Sequence, residues 1–202
     1  MDALRTLYLL RHAQPQMPGG VRCCLGQHTD PPLAPEGEAA ARELAEFFTG
    51  REITAVGTSP LLRCRQTAEL LFPAIPAEVL PGMIELDGGD WEGLSFAQIR
   101  TRYPEVYARR GTDASIPPPG GESQADGAAR GIAALEEFFA RTEGNVAVIG
   151  HSGIDRAVVC ALAGLPFSEN RTIPMHYLQI HLLYRENGVL TVVPWEKGSV
   201  TP

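Results

Sequence analysis

Apolar and polar positions along the chain follow two different periods. Residues 6–11 (TLYLLR), 53–58 (ITAVGT) and 146–149 (VAVI) are short runs dominated by apolar residues and bounded by polar ones or glycine, the pattern of strands covered on both faces. Helical spacing fills the intervals. Residues 35–49 (PEGEAAARELAEFFT) predict a helix with Pro35 in its first turn and Ala40, Leu44, Phe47 and Phe48 as apolar positions. Residues 61–71 predict a second helix, closed by Phe72-Pro73, and residues 154–163 another. Ser123-Gln124-Ala125-Asp126 fits a capping box opening a helix that runs to about Arg141. Residues 94–109 read as helical, with Pro104 breaking or kinking the run.

Residues 79–86 predict a strand with a Pro81-Gly82 interruption, and residues 116–122 (IPPPGGE) predict a loop. Residues 177–184 and 189–195, separated by Arg185-Glu186-Asn187-Gly188, predict a hairpin with an Asn-Gly turn. Strands alternating with helices imply an α/β fold: a mostly parallel central sheet with helices on both faces, plus an antiparallel addition near the C-terminus.

Ligands in such sheets sit outside the carboxyl ends of the strands. Three polar groups fall where an apolar run stops: Arg11-His12 after residues 7–10, Ser59 and then Arg63 after residues 53–56, and His151 after residues 146–149. All three are expected at one rim.

Composition narrows the classes. At 202 residues, with 44% hydrophobic and 20% charged residues, the chain reads as one domain with room for a substantial core. The net charge of -7 argues against a nucleic-acid partner or an anionic membrane surface, though not against a small basic pocket. The apolar run near the N-terminus is short for a secretory signal, and no segment approaches a membrane span, so a cytoplasmic location is the expectation. The four cysteines form no CxxC pair, and the five histidines show no metal-ligand spacing such as HExxH. Reduced thiols and no metal are therefore expected.

Two imidazoles and two guanidinium groups at one rim point to a phosphate pocket. A guanidinium fork matches phosphoryl oxygens and stays charged at any working pH. A neutral imidazole can accept a phosphoryl group, and a second, protonated one would favour the charge that spreads over the oxygens. A carboxyl must then protonate the leaving oxygen. The stretch IELDGGDWEGLS offers Glu85, Asp87, Asp90 and Glu92; Glu85 directly ends the apolar run and is the candidate acid. Gln14, His28 in the following loop, and the main-chain N–H of Ser152 at a helix start are candidates for substrate contact.

These stretches together resemble the histidine phosphatase superfamily, the phosphoglycerate mutase-like proteins. LLRHAQPQ resembles the RHG signature. LGQHTDPPLAPEG, TSPLLRCRQTAELL, IELDGGDWEG, PPGGES and VIGHSG follow in the family's order. The TSPLLRCRQTAELL stretch carries Cys64 where the family pattern S-x-L-x-R-A-x-Q-T-A has alanine. The resemblance implies a three-layer α/β fold over residues 1–202 as a single domain, with no metal or organic cofactor. It implies His12 as the phosphohistidine nucleophile, Glu85 as proton donor and acceptor, and Arg11, Arg63 and His151 as the rest of the phosphate pocket. The likeness is strongest to the small phosphatase branch, with its α-ribazole and broad-specificity phosphatases. The implied partner is a small-molecule phosphomonoester; the sequence does not speak to oligomeric state.

The chain also departs from the pattern. Ala13 stands in place of the glycine after the first histidine, Gln14-Pro15-Gln16-Met17-Pro18 replaces the usual Glu-Thr and nearby Asn, and His-Ser-Gly replaces His-Gly-Gly. The missing Asn bears on substrate choice more than on the chemistry. A mutase using the same residues, and a non-catalytic module that only binds a phosphorylated ligand, are the alternatives.

Overall fold

A computed structural model describes residues 5–186 and 188–194 of the chain. Its centre is a six-stranded sheet. The strands are β1 (Thr6–Arg11), β2 (Ile53–Thr58), β3 (Ala77–Val79), β4 (Asn145–Gly150), β5 (Ile180–Glu186) and β6 (Val189–Val192), in spatial order β3-β2-β4-β1-β5-β6. The first four run parallel, and β5 and β6 add the predicted antiparallel pair. Helices α1 (Pro35–Leu44), α2 (Leu62–Leu71), α3 (Phe96–Arg102), α4 (Pro104–Thr112), α5 (Gln124–Arg141) and α6 (Ser152–Leu162) surround it.

Side chains alternate across the pleat, so each strand feeds two cores. Leu7 and Leu9 of β1 and Val146 and Val148 of β4 pack with Leu135 and Phe138 of α5 and Ile154 and Val158 of α6. Tyr8, Leu10, Ala147 and Ile149 face the other way, onto Leu44 of α1 and Cys64, Ala68 and Leu71 of α2. Burial of each such aliphatic side chain contributes on the order of 1.5–3 kcal/mol.

Local chemistry sets most element ends. Pro35 and Glu36 open α1, where a missing N–H is harmless and the helix dipole favours an acid. Ser123 caps α5, accepting from the Asp126 N–H at 3.1 Å. The predicted break at Pro104 divides α3 from α4.

Three predicted boundaries change. The strand expected over residues 79–86 is only β3; Pro81 cannot donate to a ladder, and a 3-10 turn at Pro81–Met83 follows. Glu85 therefore lies in an irregular segment beyond that turn, not at a strand end. The helix expected over residues 35–49 ends at Leu44 and continues as a 3-10 turn, Ala45–Phe48. The last hairpin starts at Ile180, because Leu178 takes a left-handed φ of 60°. Asn187 of the predicted turn and Trp195 at its far end lie outside the described residues.

Candidate active site

The carboxyl ends of β1, β2 and β4 meet as their sequence pattern predicts, and the sheet's hydrogen bonding continues past them. The Arg11 N–H donates to Gln179 O at 3.0 Å, the His12 N–H to Gly150 O at 3.0 Å, and the Ser59 N–H to Ile149 O at 2.9 Å. Each loop is thereby fixed at its first residue, which sets where the following side chains point.

The His12 and His151 rings lie edge to face with centroids 5.2 Å apart. His12 Nδ1 is 2.6 Å from Ala13 O. A carbonyl only accepts, so Nδ1 carries the hydrogen and the lone pair of the neutral ring sits on Nε2. Thr67 holds the next link: its hydroxyl accepts from the Ala13 N–H at 3.1 Å and donates to Arg63 O at 2.7 Å. His151 Nε2 is 2.7 Å from Ser59 Oγ, and the Cys64 thiol, donating to Gly150 O at 3.2 Å, lies against the same ring.

Both imidazoles are held well below the usual histidine range. Burial is the largest cause, and the positive field of Arg63 and Arg11 adds to it. Both rings are neutral in the empty pocket.

Arg63 is fully buried on α2, where Nη1 donates to Thr29 O and Nη2 to Gly26 O, each at 3.1 Å, and Nη1 lies 3.3 Å from Asp30 Oδ1. Arg11 donates to Met175 O at 2.7 Å and stacks its guanidinium 4.0 Å from the Tyr177 ring centroid. The Nε atoms of both arginines are buried without a partner.

Glu85 reaches the site from the side. Its carboxylate accepts from the N–H groups of Gly153 at 3.0 Å, Ile154 at 2.9 Å and Leu86 at 2.8 Å, binding it to the first turn of α6. A Cβ on Gly153 would come within 2.6 Å of Glu85 Oε1, so this approach requires glycine there. Arg130 of α5 fastens the segment from behind: it donates to Gly82 O, Ile84 O and Glu85 O and forms a two-pronged pair with Glu122.

A cavity of about 380 Å³ opens over this centre, lined among others by Arg11, His12, Glu85, Asp87 and Ser152. Arg63 and His151 are not on its wall; they support His12 from beneath. Gln14 and His28 are exposed and do not line it. Gln14 instead offers its carbonyl to the Ala34 N–H, and the His28 N–H donates to Glu92. Sequence reasoning missed Tyr177 and Arg130. Tyr177 sits in a loop with no motif, whereas Arg130 had a usable signal, a lone cation among the glycines and alanines of α5's inner face.

Comparison with known proteins agrees with this geometry. The family described as histidine phosphatase superfamily (branch 1) matches residues 7–197. The 6-phosphofructo-2-kinase/fructose-2,6-bisphosphatase of Caenorhabditis elegans is 35% identical over 179 residues, 86% of this chain and 38% of that protein. Phosphoserine phosphatase 1 of Hydrogenobacter thermophilus is 31% identical over 192 residues, 91% of this chain and 90% of that one. The native structure of mycobacterial glucosyl-3-phosphoglycerate phosphatase superposes with a TM-score of 0.80 at 29% identity, covering 90% of this chain and 91% of its own. The chain spans about two fifths of the length of the first curated relatives it matches. With the paired histidines at parallel strand ends and a match running along nearly the whole sequence, the chain belongs to the histidine phosphatase superfamily, branch 1.

Proposed function

We propose that the chain is a phosphomonoesterase that hydrolyses a small phosphorylated metabolite through a phosphohistidine on His12. The observation that carries this reading is the His12 ring itself: Nδ1 is tied to Ala13 O, the ring is neutral, and Nε2 is left with a free lone pair beside His151. In the first step Nε2 attacks phosphorus, the phosphorus–oxygen ester bond breaks, and the departing oxygen takes a proton from the Glu85 carboxyl. In the second, the Glu85 carboxylate takes a proton from water as that water attacks the phosphohistidine, releasing inorganic phosphate. Arg11 and Arg63 hold the oxygens, and His151 takes up a proton as the phosphoryl dianion enters and donates to it.

The relatives' names favour hydrolysis of a phosphate ester attached to a small organic acid or sugar. The test is phosphate release from a panel of such esters, with trapping of the phosphoenzyme. The expected outcome is an acid-labile phosphoryl group on the parent protein, and a loss of at least about 1,000-fold in turnover for His12→Ala. Undiminished release by a folded His12→Ala protein would reject the mechanism. Glu85→Gln compared with Asp87→Asn identifies the acid: the first is expected to slow turnover of esters with poor leaving groups far more than the second.

A further inference from the structure

The cavity is several times larger than a phosphoryl group, and the wall away from His12 carries charge of one sign. Four arginines that the chemistry above leaves unused line it. Arg22 comes from the loop after the 3-10 turn Pro18–Gly20, Arg110 from α4, Arg156 from α6, and Arg171 from the 3-10 turn Phe167–Thr172.

Three of these guanidinium groups are oriented by main-chain carbonyls. Arg110 donates to Ala114 O at 3.2 Å and to Ile116 O. Arg171 donates to Arg110 O at 2.8 Å and Gly111 O at 3.0 Å, and Arg156 Nε donates to Ile173 O at 3.2 Å. A carbonyl aims a guanidinium without cancelling its charge. Among the described residues none of the four forms an ion pair.

The acids on the same wall are already engaged. Glu122 is paired with Arg130 at 2.7 Å, Asp87 accepts from the Gly89 N–H at 2.8 Å, and Glu85 accepts three amides. Burial, and after it the neighbouring Arg171, pulls Arg110 below the usual arginine range; burial, and after it Arg11, does the same to Arg156. A chain of net charge -7 thus concentrates uncompensated cations in one recess, at the cost of mutual repulsion that a bound anion would offset.

We propose that this arginine wall is a subsite for a second anionic group on the substrate, making the preferred substrates phosphomonoesters that also carry a carboxylate or a second phosphate. The inference rests on the phosphomonoesterase reading and adds the substrate class. Trp91, Phe96 and Tyr107 line the same cavity and provide apolar surface for the carbon skeleton between the two anions.

The test compares esters matched except for the second anion: phosphoserine with phosphoethanolamine and 3-phosphoglycerate with glycerol 3-phosphate for a carboxylate, and fructose 1,6-bisphosphate with fructose 6-phosphate for a phosphate. The expected result is a kcat/KM roughly 10- to 100-fold higher for the anion-bearing member of at least one pair. That ratio is expected to fall toward one in Arg156→Gln, chiefly through KM. Arg22→Gln, a surface change that removes no main-chain hydrogen bond, is expected to lower it in the same direction.

Equal kcat/KM within every pair, or a preference that survives both substitutions, overturns the subsite. Calorimetry on His12→Ala with the same pairs separates the two readings. Tighter binding of the anion-bearing member by a chain whose parent releases no phosphate would overturn the hydrolase and support the subsite. Equal affinities would overturn the subsite alone.

Discussion

Asp155 is the residue whose chemistry the site leaves unexplained. It lies on the apolar face of α6, fully buried, with neither carboxyl oxygen hydrogen-bonded. Its carboxyl fills the space above Gly150, where an added Cβ would come within 2.1 Å of Oδ1. Burial, and after it the negative charge of Glu85, pushes its pKa well up, so the group is neutral in the fold. A carboxyl with a raised folded pKa contributes stability that is fully present below its unfolded pKa, near 3.8, and is lost as pH rises toward the folded value. Asp155→Asn keeps the shape and removes the ionisation, and is expected to stabilise the protein at pH 7.5 by about 1–3 kcal/mol and by less at pH 5. Urea denaturation at the two pH values checks this; a variant no more stable than the parent at pH 7.5 contradicts it. Neither the orphaned carboxyl nor its closeness to Gly150 is visible in the sequence, where HSGIDRAVV reads as one polar residue in a helix. Arg11, His12, Ser59, Arg63 and His151 were legible because each stands just past the end of an apolar run.

Among the elements, the segment around Glu85 was the least legible. Hydrophobicity over residues 79–86 resembles a strand, but the Pro81 ring and a 3-10 turn end it, and only tertiary hydrogen bonds from Arg130 and α6 say where the carboxylate goes. Helices with strong local signals, such as α5 with its Ser123 cap and α3–α4 with Pro104, were read nearly to the residue. Glu92, one of the carboxylates that competed with Glu85, has another use. Its oxygens accept the main-chain N–H groups of Gln27, His28, Thr29 and Gly88, joining two loops far apart in sequence. The same stretch supplies Gly26 O and Thr29 O to Arg63. Glu92→Gln is expected to lower stability by about 1–3 kcal/mol and to raise KM through Arg63, leaving proton transfer to Glu85. An unchanged unfolding midpoint together with an unchanged KM would show that this clamp is dispensable.

At the scale of the whole molecule, the pocket imposes an acid limit on the fold. His12 and His151 are held neutral in the native state by burial and then by Arg63, whereas the unfolded chain protonates them near pH 6.5. Their folded pKa values lie below the unfolded one, so stability is unaffected well above pH 6.5 and falls as pH drops beneath it. Each imidazole removes about 1.4 kcal/mol per pH unit in that window. Denaturation midpoints measured between pH 7 and pH 5 are expected to decline, and His151→Gln to flatten the decline; a parent midpoint that stays level across the range would contradict the neutral pair.

The order of the strands has a consequence for how the molecule comes into being. Leu7 of β1 pairs with Val146 of β4, and Leu10 with Ile180 of β5, so the nucleophile's strand waits unpaired while most of the polypeptide leaves the ribosome. Closing such distant contacts is entropically slow. No nascent fragment that stops short of β5 can assemble the reactive centre, and chemistry begins only once synthesis is nearly finished.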